Sequence, residues 1–523
     1  MYRPMLEHFA VIDVGSNALR FQLACVTQPK RYRIVEQDRL PVRLGHRVFQ
    51  TGKLEERATE QALKALARFK AVADKYRVKE IRAVATSALR EASDARSFTA
   101  QIKKRLGFSL EVISEAEEAR LISLGIMSGL QFHLPLGLFV DIGGGSVEMA
   151  VANAASNFCL FSLPLGAVRM TERFLRQDPP ARKGIKHLTR HVEETLNGVV
   201  KRLQKEKYTM AFGSGGTLTT LAETDARLAG ESKVGSLAVL RRSRLKTLVQ
   251  LLTQQTLEER AALISGDPRR ADIIVAGGLV LHEIMNQTEL DYLFVSKRGL
   301  RDGVMVDLLR RRYGESAAWH QESERAESVE QVFQKYGGDV AHAYHVSQLA
   351  LSLFYQLQPL HNFGEKYAGI LHAAAMLHDI GLFIADAKHH KHSYYLIKSS
   401  GLDSFNKLEL ELVANIARYH RKAHPSAKHL GFSQLSPANQ DIVRKLSALL
   451  RIADALDFKR EQIVKSVSCS ANGGKSVNIA CVASGHIADE IRWAERKGKL
   501  IEEVFNIRLS LQRAKGLARV QAQ

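Results

Sequence analysis

Hydrophobic and polar positions change period along this chain, and the changes mark out its elements. Between residues 9 and 27, Phe9 and Val11, then Phe21 and Leu23, fall on alternating positions, which predicts a strand, a turn and a second strand. Over 54–77 the spacing lengthens. Ala62, Leu66, Phe69, Ala73 and Tyr76 recur at steps of four and three with charged residues between them, the pattern of an amphipathic helix. Short strands are predicted at 81–85, 110–113 and 293–295, a second hairpin over 137–151, and a helix over 187–206. Ser114 at an N-cap with Glu117 three residues later predicts a capping box, and Glu115 suits the positive end of the same helix. Glu118 has no such local duty, which makes it a candidate for chemistry.

From 311 the texture changes. Residues 311–328 are polar and charged and read as a linker or a domain-joining helix. Beyond them the pattern is helical and rich in histidine, with His342 and His345, His378-Asp379, His389, His390 and His392, His420, and finally Asp454. After about 465 short alternating runs at 477–482 and 505–511 predict a small terminal module containing strands, and the last dozen residues are basic and expected to fray. The expected divisions are residues 1–130, 131–310, 311–464 and 465–523.

The glycines carry the chemistry of the first half. In the second hairpin an apolar strand runs into Asp141, then Gly143-Gly144-Gly145-Ser146, then a strand bearing Glu148. Glycine lets successive backbone N–H groups turn toward one point, and such a nest beside a carboxylate able to hold Mg²⁺ suits phosphate. The first hairpin repeats the layout, with Asp13 aligned to Asp141 and Gly15 to Gly143. A third glycine loop, Gly213-Ser214-Gly215-Gly216-Thr217, opens a helix, and a fourth pair, Gly277-Gly278, is expected to precede one. Four such junctions, two of them repeated with a leading Asp, predict a duplicated α/β domain with a phosphate cleft between its halves. Within it Asp141 and Glu148, at the two ends of one turn, are placed to share an Mg²⁺ that Asp13 faces from the duplicate. Backbone N–H groups at 143–146 and 15–17 would cradle phosphate oxygens, Arg90 would clamp one, and Glu118 would take a proton from the attacking water.

Composition narrows the partner. The 523 residues suffice for roughly two to four domains, and the formal charge of +20 favours a polyanion: nucleic acid, an anionic membrane surface or a phosphate polymer. No nucleic-acid motif is recognisable and only 7% of residues are aromatic, so no specific nucleic acid is expected, while peripheral membrane contact stays open. Four scattered cysteines without metal spacing point to a reduced, cytoplasmic chain. The first ten residues lack a signal pattern, and the longest apolar runs are too short to span a bilayer.

Asp13-Val14-Gly15-Ser16-Asn17, Thr86-Ser87-Ala88-Leu89-Arg90, Ile113-Ser114 with Glu117-Glu118-Ala119-Arg120-Leu121, Asp141 to Ser146 with Glu148, and Gly299-Leu300-Arg301-Asp302-Gly303 follow one another in an order that resembles the exopolyphosphatase/guanosine pentaphosphate phosphatase (Ppx/GppA) family. The resemblance covers residue 9 to about 310. It implies a duplicated ribonuclease-H-like fold of the actin-like ATPase superfamily, Mg²⁺ (or Mn²⁺) dependence, and stepwise release of terminal phosphate from inorganic polyphosphate, with guanosine pentaphosphate as the alternative substrate. It assigns the catalytic base to Glu118, metal binding to Asp141 and Glu148, and phosphate contacts to Asn17, Arg90, Gly144, Gly145 and Ser146. Glu115 departs from the family, which has Gly there; a side chain pointing to solvent is the favoured reading. The C-terminal half resembles the mostly helical HD-type domain of the family's long members. That likeness implies a second divalent metal on His345, His378, Asp379 and Asp454, with His420, and His390 or His392, as further ligands. A homodimer is the expected assembly. A non-catalytic polyphosphate- or nucleotide-binding regulator is the rival of another class, against which the presence of Glu118, Asp141 and Glu148 argues.

Overall fold

The computed structural model describes residues 7–514 except 29–30, 131–133, 135, 154–155, 204, 207, 231–236, 315–319, 322–323, 403 and 473–475. The predicted fraying of the last dozen residues falls largely outside that range. Contacts divide the chain into two compact units, residues 1–129 with 136–321, and residues 130–135 with 322–523.

The first unit holds two six-stranded sheets. Strands β1 (Glu7–Val14), β2 (Leu19–Gln28), β3 (Arg31–Leu40), β4 (Glu80–Ala85) and β5 (Leu110–Val112) form most of one. Strands β6 (Gly137–Ile142), β7 (Val147–Ala152), β8 (Asn157–Leu163), β9 (Met210–Ser214), β10 (Leu237–Arg241) and β11 (Tyr292–Ser296) form the other, and β12 (His320–Gln321) joins the edge of the first. The orders are β12-β3-β2-β1-β4-β5 and β10-β11-β9-β6-β7-β8. Without the edge strands β12 and β10 the two are the same sheet: three antiparallel strands, then two parallel ones, with β1 and β6 in equivalent places. The duplication expected from two hairpins therefore extends to whole ribonuclease-H-like domains. Their centres are apolar on both faces. Phe9 to Val14 are buried throughout β1, and helix Glu56–Lys75 covers that sheet with Phe69 stacked on Phe21 at 5.2 Å between ring centroids. In the second sheet Phe139, Phe212 and Phe294 form a row across β6, β9 and β11.

Two helices tie the sheets together. Glu115–Met127 leads from β5 toward β6, and Leu300–Tyr313 returns from β11 to pack against β1. They cross where Gly125 meets Gly299 and Gly303 meets Leu121. A Cβ on Gly303 would lie 1.8 Å from the Leu121 carbonyl oxygen, and one on Gly125 would lie 2.0 Å from that of Gly299. Backbone thus packs on backbone at this crossing.

Some expectations shift. Gly277-Gly278 lies inside helix Ile274–Gln287 rather than ahead of it. The reason is packing, since a Cβ on Gly277 would meet Thr217 Cγ2 at 2.3 Å and one on Gly278 would meet Val249 Cγ2 at 2.8 Å. The capping box at Ser114 is half formed. Its hydroxyl accepts from the Glu117 N–H at 3.2 Å, but the Glu117 carboxylate turns to Arg120 at 2.7 and 2.9 Å. Among its described residues, the polar stretch after 311 ends one helix at Tyr313, supplies strand β12 and begins another helix, Glu324–Tyr336.

In the second unit helices Val340–Gln356, Glu365–Leu377, His389–Lys398, Lys407–Arg418 and Pro437–Ala455 pack around a core that includes Ala373, Ala374 and Ala375. Strands β13 (Val464–Asn472), β14 (Ser476–Ala483) and β15 (Arg508–Arg513) make a small sheet. Helix Ala488–Phe505 makes the crossover from β14 to its parallel neighbour β15, so the run predicted from 505 begins as the end of a helix. Among the described residues no helix is long and apolar enough to cross a membrane.

Candidate active site

The two sister turns of the first unit face each other. A Cβ on Gly144 would lie 3.0 Å from Ser16 Cβ and 3.6 Å from the Asn17 nitrogen, so the β6–β7 turn touches the β1–β2 turn. Both turns line one cavity of ≈ 320 Å³, together with Glu118, Asp13 and Asp141. The turns close alike, Gly143 N–H bonding Ser146 O at 3.0 Å and Gly15 N–H bonding Ala18 O at 3.3 Å. Of Gly143, Gly144 and Gly145, the last two are needed for space rather than for left-handed backbone. A Cβ on Gly145 would fall 2.3 Å from the Phe49 ring and 2.5 Å from Ser87 Oγ, and none of the three has positive φ. The carbonyls of this loop are all engaged. Gly143 O accepts from Ala167 N, Gly144 O from Val168 N, each at 2.9 Å, and Gly145 O from Arg169 Nε at 2.7 Å. With its acceptors tied to the following helix, the loop presents donors to the cavity.

Four carboxylates gather here. Asp141 and Glu148 are cross-strand partners in the β6–β7 register. Asp141 Oδ1 accepts from Ser214 Oγ, and Glu148 Oε1 from Ser162 Oγ at 2.9 Å. Glu118, at the start of the crossover helix, accepts from Arg90 Nη1 at 2.6 Å, and the same nitrogen reaches Ile113 O at 3.2 Å. Asp13 accepts from Arg20 Nη1 at 3.1 Å. Asp13 and Glu148 are 1% exposed, and Asp13 Oδ1 and Glu148 Oε2 have no hydrogen-bond partner. Burial, then the Glu148 charge, holds Glu118 well above the ordinary carboxylate range against the opposing pull of Arg90. Burial also raises Asp141, and pushes Glu148 up to about 7. Buried acids that raise one another and keep unpartnered oxygens are a strained set until a cation joins them. The donor set is all carboxylate and hydroxyl oxygen, which fits a hard divalent ion.

The equivalent of Glu148 in the first sheet is Arg20, cross-strand partner of Asp13. One hairpin of the pair carries two acids; the other carries an acid and its own counter-charge.

The remaining sequence-predicted residues fall as follows. Asn17, Gly144 and Ser146 line the cavity, whereas Arg90 and Gly145 do not: Arg90 is bonded to Glu118, and Gly145 is packed on Phe49. Glu115 is exposed. The sequence reading passed over the cations. Arg20, Arg39, Arg270, Lys297, Arg298 and Arg301 all line the cavity. Arg270 is buried and drawn down to about 9, by burial first and then by Arg39 and Arg20. Its guanidinium lies where a Cβ on Gly216 would be, against the first turn of helix Gly216–Leu228, and Gly215 just ahead adopts φ +92°, which favours glycine. The Arg269-Arg270 pair after Asp267-Pro268 was the available signal, and it is indistinguishable in sequence from a solvated charge pair.

In the second unit the structure gathers His342, His378, Asp379, His389, His420 and Asp454. His345 is not among them. It sits three residues along the same helix from His342, about 4.5 Å further along the axis, and its Nε2 has no hydrogen-bond partner. His389 takes the place expected of His390 or His392. The His390 ring centroid is 6.5 Å from that of His420, and His392 is partly exposed. Burial draws His378 and His420 down, whereas at His342 the nearby Asp454 and Asp457 carboxylates outweigh burial and push it up to about 9.

Residues 26–312 match the Ppx/GppA phosphatase family, and residues 325–489 match Ppx/GppA phosphatase domain III. The chain is 26% identical to a guanosine-5'-triphosphate,3'-diphosphate pyrophosphatase of Pseudoalteromonas atlantica over 87% of both chains. It is 31% identical to exopolyphosphatase 2 of Mycobacterium tuberculosis over 58% of this chain and 99% of that one. Among solved structures, the Ppx/GppA family member of Aquifex aeolicus is similar at 30% identity and TM-score 0.51, covering 59% of this chain and 99% of its own. An exopolyphosphatase from Cytophaga hutchinsonii is similar at 26% identity and TM-score 0.55, covering 58% of this chain and 98% of its own.

Proposed function

Because the chain belongs to the Ppx/GppA phosphatase family, whose chemistry is hydrolysis of phosphoanhydrides, we propose that it is an exopolyphosphatase, releasing orthophosphate from the end of inorganic polyphosphate. The observation that carries this reading is the cavity itself. Glu118 and the two sister turns share it, six Arg and Lys side chains line it, and no aromatic residue is among its described lining residues. A phosphate chain asks for cations and N–H donors and offers no ring to stack.

In this reading Glu118 takes a proton from the attacking water, and its raised proton affinity makes it a stronger base than an ordinary carboxylate. Arg90 fixes the carboxylate by its hydrogen bond. N–H groups of the two turns, with Asn17 and Ser146, orient the terminal phosphoryl group. Asp141 and Glu148, with Asp13 opposite, would hold an Mg²⁺, which when bound supplies charge neutralisation of the transferred group. Arg20, Arg270 and Arg301 take up the negative charge of the phosphates that follow.

Guanosine pentaphosphate is the second reading. It is favoured by the pyrophosphatase relative, whose similarity runs through the second unit as well as the first. Phosphate release from long-chain polyphosphate and from guanosine pentaphosphate, measured side by side on the wild type and Glu118→Gln, tests both. The wild type is expected to release phosphate from polyphosphate and the variant to lose that activity. Turnover of guanosine pentaphosphate alone would move the assignment to the second reading. Release from neither would overturn both.

A further inference from the structure

Among the acids that line the cavity of the first unit, Asp267 alone accepts from two arginine side chains. Its Oδ1 accepts from the Arg269 N–H at 3.2 Å and from Arg269 Nε at 2.7 Å, which caps the short turn Pro268–Arg270. That local duty occupies one oxygen. The other, Oδ2, accepts from Arg39 Nη1, 228 residues away in sequence. Against burial, the bonds from Arg269 and Arg39 hold the carboxyl down at about 2, so Asp267 is ionised at neutral pH.

Arg39 comes from the other half of the cleft. It lies near the end of β3 in the first sheet, whereas Asp267 precedes helix Ile274–Gln287, which packs with the second. The pair therefore bridges the cavity, yet it is not what ties the halves together at this point. Arg43 Nη1 pairs with Asp272 Oδ2 at 2.9 Å, and Arg43 Nη2 donates to the Arg269 carbonyl at 3.1 Å. Arg39 is also left with an unused donor, because its buried Nε has no hydrogen-bond partner. Burial first, and then the nearness of Arg39 and Arg20, lowers the proton affinity of Arg270. Three guanidiniums that repel one another are a site for an anion, and the protein supplies one of its own. The place is also where a phosphate chain would continue. A Cβ on Gly215 would lie 3.0 Å from Asp141 Oδ1, and one on the next residue, Gly216, would fall within the Arg270 guanidinium. Two residues of one loop thus lead from the acids to the arginines.

We propose that Asp267 is an internal competitor of the substrate: its carboxylate holds the position of a phosphate, and the phosphates behind the terminal one bind by taking Arg39 from it. The inference rests on the polyphosphate reading of this cavity. It makes Asp267 a specificity residue, since only an anion that extends from the sister turns as far as Arg39 meets the competition. It also keeps the grip on a long chain loose, because Asp267 takes Arg39 back whenever a phosphate leaves it. A charged carboxylate facing a phosphate opposes binding, so its removal should strengthen the hold on the chain.

The test is equilibrium binding of long-chain polyphosphate in Mg²⁺ and low salt, measured on full-length Glu118→Gln protein so that turnover does not interfere. Adding Asp267→Asn should tighten binding about fivefold, the upper end for freeing one arginine from an ion pair near the surface. In an Arg39→Met background the same substitution should lose most of that gain, because no arginine is left to free. Binding that Asp267→Asn leaves unchanged or weakens, or an equal gain without Arg39, would overturn the inference and leave the polyphosphate reading standing. Failure of all these proteins to bind polyphosphate would overturn that reading and the inference with it. Where Asp267→Asn fails to fold, Asp267→Ser, which keeps an oxygen for the Arg269 N–H, carries the same comparison.

Discussion

Replacing Gly303 by alanine adds one methyl group at the crossing of the two helices that join the sheets. Its Cβ would sit 1.8 Å from the Leu121 carbonyl oxygen, where ordinary contact begins at 3.4 Å, so the helices must part by about 1.5 Å in an interior packed without slack. The obstacle is backbone and has no rotamer to change. Overpacking of this kind costs about 1–3 kcal/mol, which for a domain of this size lowers the melting temperature by roughly 3–10 °C. Glu118 rides on the helix being displaced, one turn before Leu121. A shift of about 1 Å in a catalytic group costs on the order of 100-fold in rate. Gly303→Ala should therefore lose more in kcat for phosphate release than its modest destabilisation accounts for, with KM nearly unchanged. Gly198→Ala is the control. There nothing lies within 4 Å of the added Cβ, and stability should stay within about 1 kcal/mol of wild type. Thermal melts and steady-state kinetics on both variants measure the contrast. A Gly303→Ala protein that melts and turns over like wild type would refute the claim that this crossing sets the position of the proposed base.

Glu148 links stability to pH. Its pKa is pushed from 4.5 to about 7 on folding, so the folded chain holds that proton more tightly, and the resulting stability is full below 4.5 and lost as pH rises through 7. In chelator the wild type should lose melting temperature between pH 5 and 7.5 relative to Glu148→Gln, and Mg²⁺ should restore it at pH 7.5 but not at pH 5; parallel wild-type and variant curves would count against a shifted Glu148. Arg90→Met removes the charge that pulls Glu118 down, so the acid limb of the rate–pH profile should move to higher pH; an unmoved limb would mean that Glu118 is not the titrating base. Arg270→Ala should raise KM for polyphosphate about tenfold or more with kcat within a few-fold, and weaken the salt dependence of KM, because a buried cation is lost from the cavity wall; a pure kcat effect would contradict a binding role.

The first unit was legible in outline because its signals are local. An aspartate at a strand end before a glycine turn states its own purpose, and two copies state the duplication. Glu118 stood out by subtraction, since the cap explained its neighbours but not itself, and the fold places it on the cavity wall. Strands β3 and β8 were missed because strands left largely unpaired along one side alternate poorly, as Arg31–Leu40, of which β12 pairs only Arg31 and Tyr32, illustrates. Arg39 and Arg270 could not be read, because their meaning comes from tertiary approach: Arg39 pairs with Asp267, 228 residues away, and Arg270 lies against Gly216. The histidines show the same limit at finer grain. His342 and His345 share a helix and a residue type, and only the fold decides which of them meets Asp379.

Arg20 stands where Glu148 stands in the other half. Two identical halves around a cleft would make it blind to direction, and a rod-like anion would enter equally well either way round. The exchange of a base for an acid at this one register position gives the cleft a positive and a negative end. If the substrate is the polyphosphate proposed above, its terminal phosphoryl group would then sit by the acids and the phosphates behind it by the arginines.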